Sequence, residues 1–378
     1  MKVIVIGGGL AGLFNAILLN RAGYEVTVIE RKTYPFHRVC GEYISNEVIP
    51  FLTQLGIDTE HLGSAKISQL ELTGISGKKF SRKLDLGGFG ISRYTFDDFL
   101  YHQAKAEGVN FMLNTKVDDV QFINNGFEVH IASGEILQAP LVIGSFGKRA
   151  NLDQKLKRKF FYHRSPFFAV KYHIKADFPN NLIQLNNFKG GYCGVSAVED
   201  EKFCFCYLAH RKQLKQLGSI AAFEEQVVRK NPALNQLFTN SDFLWNKPEV
   251  INEISFEKKS LVKQHMLMSG DTAGMIVPLC GNGMSMAIHS AKILTENIKR
   301  FYTKNELDQH NRLKLEKAYI KQWNAVFATR LWTGRKLQPL FRHSYITESA
   351  LGLMNRFPVI ADKLIQKTHG KPFGLEAV

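Results

Sequence analysis

Cysteine is sparse. Cys40, Cys193, Cys204, Cys206 and Cys280 are the only five in 378 residues, with no Cys-x-x-Cys pair and no histidine spacing suited to zinc. That excludes a disulfide scaffold and a zinc ribbon, leaves no metal site to expect, and fits reduced thiols in a cytoplasmic protein. No run of 18 apolar residues occurs, so no spanning helix is expected. The apolar stretch after Lys2 is not read as a secretory leader, because three consecutive glycines, Asn15 and Asn20 interrupt it. Acid is in short supply: 34 Asp and Glu face 49 Lys and Arg, a formal charge of +15. Such an excess suits an anionic membrane surface, an acidic substrate or simply a lysine-rich solvated surface. No zinc-finger or RNP-type signature appears, so nucleic acid is not an expected partner. Internal repeats, a Ser/His/Asp triad and paired carboxylates are also missing.

What is present begins at the first residues. Val3 to Ile6 is a β-branched run that leads into Gly7-Gly8-Gly9-Leu10-Ala11-Gly12, a fit to G-x-G-x-x-G. A helical stretch from Leu13 to Arg21 follows and stops at Gly23; a second strand, Glu25 to Ile29, ends in Glu30. Gly7 permits the tight turn, Gly9 lets the backbone approach a pyrophosphate, and Gly12 lets helix and strand pack closely. Leu10 and Ala11 open the helix, whose free N–H groups and positive dipole end suit phosphates. Glu30 stands where an acid accepts a ribose hydroxyl. Strand, turn, helix, strand and acid in that order point to a dinucleotide. The basic and aromatic loop Arg31 to Arg38 then folds over it, with Arg38 near its phosphates.

Glu30, Arg38 and Cys40-Gly41-Glu42 resemble the flavoprotein superfamily of para-hydroxybenzoate hydroxylase-like monooxygenases, geranylgeranyl reductases and flavin-dependent halogenases; the Cys-Gly-Glu form is most similar to the reductases. The resemblance implies that Gly41 and Glu42 run beside a flavin. Cys40 is then a candidate to face the ring, or a packed loop thiol. Thr95 is a plausible N-cap for the next helix, which Gly108 ends. Arg93, just before that helix, matches a cofactor-contacting arginine of the superfamily. Val117, opening a strand that turns at Asn125-Gly126, joins the candidate contacts of this half. Leu141 to Gly147 resembles the second flavin motif, with Ser145 and Phe146 where Ala and Asp would stand, so Ser145 and Gly147 are candidates too. Residues 148–159 read as a basic, solvated link.

Phe160 to His210 alternates apolar and polar residues, the pattern of a second, mostly antiparallel sheet. Cys204, Cys206 and Leu208 share one face by the period of two and read as core. Gly191 to Ser196 stands where reductases and halogenases carry an aromatic motif; only Tyr192 survives, a candidate catalytic residue beside Cys40. Ile220 to Lys230 reads as a helix ended by Asn231-Pro232.

The second anchor is Gly270-Asp271, followed by Pro278-Leu279-Cys280-Gly281-Asn282-Gly283-Met284-Ser285 and a helix from about Met284 to Tyr302. It resembles the superfamily's Gly-Asp … Pro-x-x-Gly-x-Gly motif. The resemblance implies that Asp271 holds the ribityl chain, and that Pro278, Gly281, Asn282, Gly283, Met284 and Ser285 lie against the isoalloxazine. A helix N-terminus there stabilises the negative charge of a reduced flavin. Residues 304–308 form a polar hinge. Two amphipathic helical stretches, Leu313 to Gln338 and Ala350 to Lys367, follow. From Arg300 onward fourteen Lys and Arg face six Asp and Glu, which leaves peripheral contact with an anionic membrane open.

The expected fold class is α/β (α+β overall). A Rossmann-like FAD-binding domain (1–66, 91–159, 255–303) carries a mostly antiparallel substrate domain (67–90, 160–254) and a C-terminal helical segment (304–378). The expected function is an FAD-dependent oxidoreductase. One form is an NAD(P)H-dependent monooxygenase acting on an apolar or aromatic small molecule. The others are a geranylgeranyl-reductase-like enzyme and, from another class, a non-catalytic FAD- or membrane-surface-binding protein. With one complete G-x-G-x-x-G, electrons come from transiently docked NAD(P)H or a protein donor. No Trp-x-Trp-x-Ile-Pro segment supports a halogenase.

Overall fold

A computed structural model describes residues 1–302 and 307–375. Along the chain, β1 (Lys2–Ile6), α1 (Leu10–Arg21) and β2 (Glu25–Ile29) are followed by β3 (Tyr43–Ser45), α2 (Ile49–Gln54), β4 (Ala65–Thr73) and β5 (Lys79–Gly90). Next come α3 (Arg93–Ala106), β6 (Asn110–Met112), β7 (Val117–Ile123), β8 (Gly126–Ile131), β9 (Ile136–Ala139), β10 (Leu141–Gly144) and α4 (Asn151–Lys155). Four long strands follow, β11 (Phe167–Lys175), β12 (Leu182–Phe188), β13 (Gly191–Ala197) and β14 (Phe203–His210). Then come α5 (Arg211–Leu217), α6 (Ile220–Gln226), α7 (Pro232–Asn240), β15 (Asp242–Phe243), β16 (Glu249–Ile254), β17 (Val262–Lys263) and β18 (Met266–Met268). The chain closes with α8 (Gly283–Phe301), α9 (Gln309–Leu337), α10 (Ser344–Arg356) and α11 (Pro358–Thr368). No helix among the described residues is long and apolar enough to cross a membrane.

The first sheet runs β17-β18-β10-β1-β2-β6. β1 pairs in parallel with β2 on one side and β10 on the other, so the strand order reverses beside β1. Ligands of open α/β sheets bind in the crevice at such a switch point. Both faces of this sheet are covered, which is why Val3 to Ile6 is continuously apolar rather than alternating. α1 is apolar nearly all round and buried from Leu10 to Leu19, wedged against α8 and α3. It starts at Leu10, three residues before the sequence pattern suggests, because the glycine run itself enters the first turn.

The large sheet runs β15-β11-β14-β13-β12-β4-β5-β3, with β16 also on β11. A parallel β4–β12 pairing splices residues 65–90 onto the 167–210 strands. β3 joins the same sheet through β5, so this layer reaches into the first chain segment. One face packs under α6, α7 and the turn between them: Phe168, Val170, Phe205 and Tyr207 meet Phe223, Val228, Leu234 and Leu237. The opposite face looks at the first sheet and α10–α11. The third sheet is β7-β8-β9.

Several expectations are corrected. Ser92, not Thr95, caps α3: its backbone is extended and its Oγ accepts the Thr95 N–H. Residues 148–159 are no solvated link. Arg158 is buried, paired with Asp153 at 2.8 Å, and donates to the Ser260 and Thr272 carbonyls, each at 2.8 Å. Asn231-Pro232 ends one helical turn and caps α7, the Asn231 side chain accepting from Ala233 and Leu234 N–H. The last amphipathic stretch is two helices, broken at Phe357-Pro358. Of the polar hinge at 304–308, only 307 and 308 lie among the described residues.

Candidate active site

The β1–α1 turn is built as the glycines require. Gly7 has φ +99°, and a Cβ on Gly12 would run into the Gly7 carbonyl oxygen. At Gly9 a Cβ would meet no backbone. Its nearest neighbours are the Arg93 and Arg38 guanidiniums, at 3.6 and 3.9 Å. Gly9 is also the N-cap of α1, and no side chain caps that helix. A small cradle with orphan N–H donors on one side and two guanidiniums on the other fits a diphosphate.

Arg93 grips Asp97 with two bonds of 2.7 and 2.6 Å, and Arg38 adds a third from Nε at 3.1 Å. Burial opposes the Arg93 charge, yet the Asp97 carboxylate holds its pKa above the ordinary value. Glu30 accepts Gly8 N–H at 2.9 Å, Lys32 N–H at 3.1 Å and Arg38 Nη2 at 3.3 Å. Oε2 takes the Gly8 and Arg38 donors, while Oε1 takes only Lys32 N–H and has room for a second, which leaves capacity for a ribose hydroxyl. Tyr34 donates to the Gly8 carbonyl at 2.5 Å and closes the turn from outside. Arg31 is exposed. Val117 is buried in the core and pairs with Ile131 in the third sheet.

The other end of the crevice is the Gly270 turn and the loop before α8. Gly270 (φ +63°) abuts Ala11 of α1, which brings the two glycine motifs together. The Asp271 backbone carbonyl accepts from buried Lys259 at 2.8 Å. Burial pushes the Lys259 ammonium down to about 8. Pro278 to Cys280 makes one 3-10 turn, Gly281 takes φ +65°, and α8 starts with no side-chain cap. Asn282 and Ser285 each commit one side-chain atom within the protein. Asn282 Nδ2 donates to the Thr368 carbonyl at 2.5 Å, and Ser285 Oγ accepts Ser45 N–H at 3.2 Å. Their contribution is the backbone of an open helix N-terminus, with buried Met284 between them. Ser145 Oγ is buried without a partner, and Gly147 N–H is taken by Thr272 Oγ1 at 2.8 Å. Opposite, Gly41 has nothing within 4 Å of a would-be Cβ. Two uncapped helices, two guanidiniums and an open glycine loop fit FAD along the crevice.

The Glu42 side chain is committed within the protein. Its carboxylate is wholly buried and closed by protein donors: Arg93 N–H at 2.8 Å, His173 Nε2 at 2.6 Å and the Lys171 ammonium. Lys171 also donates to the Arg38 carbonyl at 3.3 Å. Burial raises the Glu42 pKa, but the Lys171 charge and the His173 bond outweigh it and bring it down to about 2. Glu42, His173 and Cys204 are the one group among the described residues with three ligating atoms within 4.8 Å of one another. The Lys171 cation already pairs with that carboxylate, and a second cation there is electrostatically opposed. Beside it, His37 stacks on Tyr94 and packs against Trp245; burial, then Lys171 and His173, lower its pKa to about 4.

Cys204, Cys206 and Leu208 do share a face, but it is the face toward the cofactor loop and not the helix-covered core. Cys204 Sγ donates to the Cys40 carbonyl at 3.3 Å. Burial pushes the Cys204 thiol well above its ordinary value and Cys206 up to about 12, so neither is a thiolate. Cys40 is half-buried in the loop. On the same sheet face Ala169, Tyr192 and Leu208 meet Met275, Val277, Leu279 and Phe341 in an apolar cluster. Gly194 and its cross-strand partner Cys206 are only half-buried, so the sheet face opens between them. The Tyr192 hydroxyl is buried beside the Leu279 backbone N–H with no acceptor for its own proton, and burial lifts its pKa well above the ordinary value.

A model of the FAD-binding domain matches residues 1–313. The chain belongs to this FAD-binding family. It is an FAD-dependent oxidoreductase, and FAD is its cofactor. The chain is 22% identical to a tryptophan 2-halogenase of Chondromyces crocatus, over 89% of this chain and 70% of that one. The flavin-dependent brominase Bmp2 superposes with a TM-score of 0.79 at 18% identity, covering 100% of this chain and 96% of that chain. PqsL, a probable FAD-dependent monooxygenase from Pseudomonas aeruginosa, superposes at 0.70 with 16% identity, covering 92% and 98%. The α/β fold is therefore the one shared by these flavin-dependent halogenase and monooxygenase structures.

Sequence reasoning missed Asp97, Lys171, His173, His37 and Trp245. Asp97 had a signal, since it stands four residues after Arg93 on one helix. Lys171 and His173 had a weaker one, two polar residues at alternate positions of an apolar strand.

Proposed function

We propose that the chain is an NAD(P)H-dependent monooxygenase acting on an apolar or aromatic small molecule. The observation that carries this reading is the apolar cluster of Ala169, Tyr192, Leu208, Val277 and Leu279 beside the α8 loop, with one buried hydroxyl in it that has no acceptor. Bound FAD supplies hydride acceptance from a nicotinamide and activation of oxygen. The chain's own residues do the rest. Arg38, Arg93 and the α1 N-terminus would hold the diphosphate. The α8 N-terminus would supply a positive dipole end beside the ring. Val277, Leu279 and Phe341 exclude water. Tyr192 stays protonated and donates its Oη–H to an oxygen of the substrate. The buried Cys204 and Cys206 thiols stay protonated, and the residues named here orient and shield.

The halogenase names among relatives do not transfer, because activity resides in sites rather than folds. The test is anaerobic titration of the FAD-loaded protein with NADPH and NADH, followed by air, bromide and a panel of phenols and polyenes. Bleaching by a nicotinamide, then an oxygenated product, is expected. A brominated product, or a saturated double bond formed without oxygen uptake, overturns the reading.

A further inference from the structure

The outer faces of α10 and α11 have no cover. Tyr345, Ile346, Leu353 and Phe357 are exposed at 88, 44, 48 and 49%, and Val359 and Ile360 at 61 and 37%. Ile346, Leu353 and Phe357 fall on one side of α10 by helical period. The opposite side, Thr347, Leu351 and Met354, is buried. In α11 the same split holds: Ala361 and Thr368 are buried, while Val359, Ile360, Lys363 and Lys367 are exposed. Leu351, Met354 and Ala361 pack on Leu72 and Phe80, and Ile365 on Tyr43, Ile67 and Ile183. Both helices therefore lie on the cofactor-facing side of the large sheet, and both outer faces point away from it.

Charge identifies what covers this face. The two described acids of the pair are spent inward: Glu348 accepts from Ser76 at 2.9 and 2.6 Å, and Asp362 binds Arg82 with two bonds of 2.7 Å. Arg356, Lys363, Lys367 and Lys371 stay exposed. Apolar side chains flanked by cations suit the boundary of an anionic bilayer, where apolar groups enter the acyl edge and cations meet phosphates. Two copies of this face would bring like charges together.

We propose that α10 and α11 dock the protein on an anionic phospholipid surface.

The experiment is flotation of the FAD-loaded full chain with vesicles of phosphatidylcholine alone or mixed with phosphatidylglycerol. Binding to the mixed vesicles at low salt, release at high salt and little binding to phosphatidylcholine alone are expected. Leu353→Glu with Phe357→Glu should remove binding while the flavin band reports an intact fold. Each of Lys363→Gln and Lys367→Gln should weaken it about fivefold. No binding to the mixed vesicles at low salt overturns the docking face, as does equal binding by the Glu variants. A concentration-dependent dimer lost in the Glu variants, without vesicle binding, assigns the face to a second copy instead. Flotation uses no substrate, so docking fails or survives independently of the substrate reading.

Discussion

Two charge clusters stand on either side of the same short loop, and they are built for opposite ends. Arg38 lies partly open beside an uncapped helix and pairs with buried Asp97, which Arg93 also grips, and Gly9 leaves room for a ligand against the two guanidiniums. Glu42, Lys171 and His173 are sealed, every carboxylate bond made within the protein. Arg93 links them, its side chain on Asp97 and its backbone N–H on Glu42. An open cluster keeps donor capacity for a ligand; a closed one fixes geometry. Lys171 holds both the Arg38 carbonyl and Glu42, so the large sheet sets the shape of the loop that carries Arg38 and Glu42.

The largest expected effect tests the closed side. Lys171→Met leaves the Glu42 charge buried without its cation and should cost about 3–5 kcal/mol in denaturant unfolding. Adding Glu42→Gln should recover much of it; a double variant as unstable as the single would show that the pair is not the cause.

Gly9 and Gly12 separate ligand from packing. Gly9→Val meets no backbone, so the apo-protein should melt near the parent temperature while FAD affinity falls about 100-fold or more, roughly 3 kcal/mol. Gly12→Val should lower both. Equal melting losses would mean that Gly9 serves packing rather than a ligand.

Acid should unlock the closed cluster. Glu42 has a folded pKa of about 2 against an ordinary 4.5. The native state therefore binds fewer protons, and this stabilisation is complete above about pH 4.5 and is lost as pH falls through about 2. His289 acts in the same direction, its pKa lowered from 6.5 to about 3 by burial, then Arg330 and Lys292. Stability followed by circular dichroism should fall from pH 6.5 downward, and Glu42→Gln should flatten the lower part.

Smaller effects belong to the open side. Arg38→Gln should weaken FAD about tenfold in a fluorescence titration, the loss of one charge-assisted contact, with little change in melting. Tyr192→Phe should leave FAD affinity unchanged and lower turnover of a hydroxylated substrate. Smallest of all, Cys206→Ser should leave the flavin spectrum and its reduction by NADPH unaltered, since that thiol is protonated.

The dinucleotide half was legible because its chemistry is local. Gly7, Gly9, Gly12 and Glu30 lie within one strand-helix-strand unit, and backbone geometry alone dictates those residue types. The α8 loop was legible for the same reason. Side-chain commitments were not. Asn282, Ser285 and Glu42 stand in the right motifs, yet the Asn282 Nδ2, the Ser285 Oγ and the Glu42 carboxylate bond to Thr368, Ser45 and Lys171. The partners lie from 86 to 240 residues away in sequence, beyond the reach of any spacing rule.

By itself, the sequence determined a cofactor-binding α/β chain, its two glycine loops, and a second sheet whose alternation marks two unlike faces. Alternation says that Cys204, Cys206 and Leu208 lie together. It cannot say which side meets helices and which meets the cofactor loop, since both are apolar. Tertiary structure decided that. It also sealed Lys171 against Glu42, left the Tyr192 hydroxyl without an acceptor, and turned the apolar, cationic side of α10–α11 outward. Each depends on which distant element arrives at a surface, and burial and charge compensation are properties of the assembled layers rather than of any one segment.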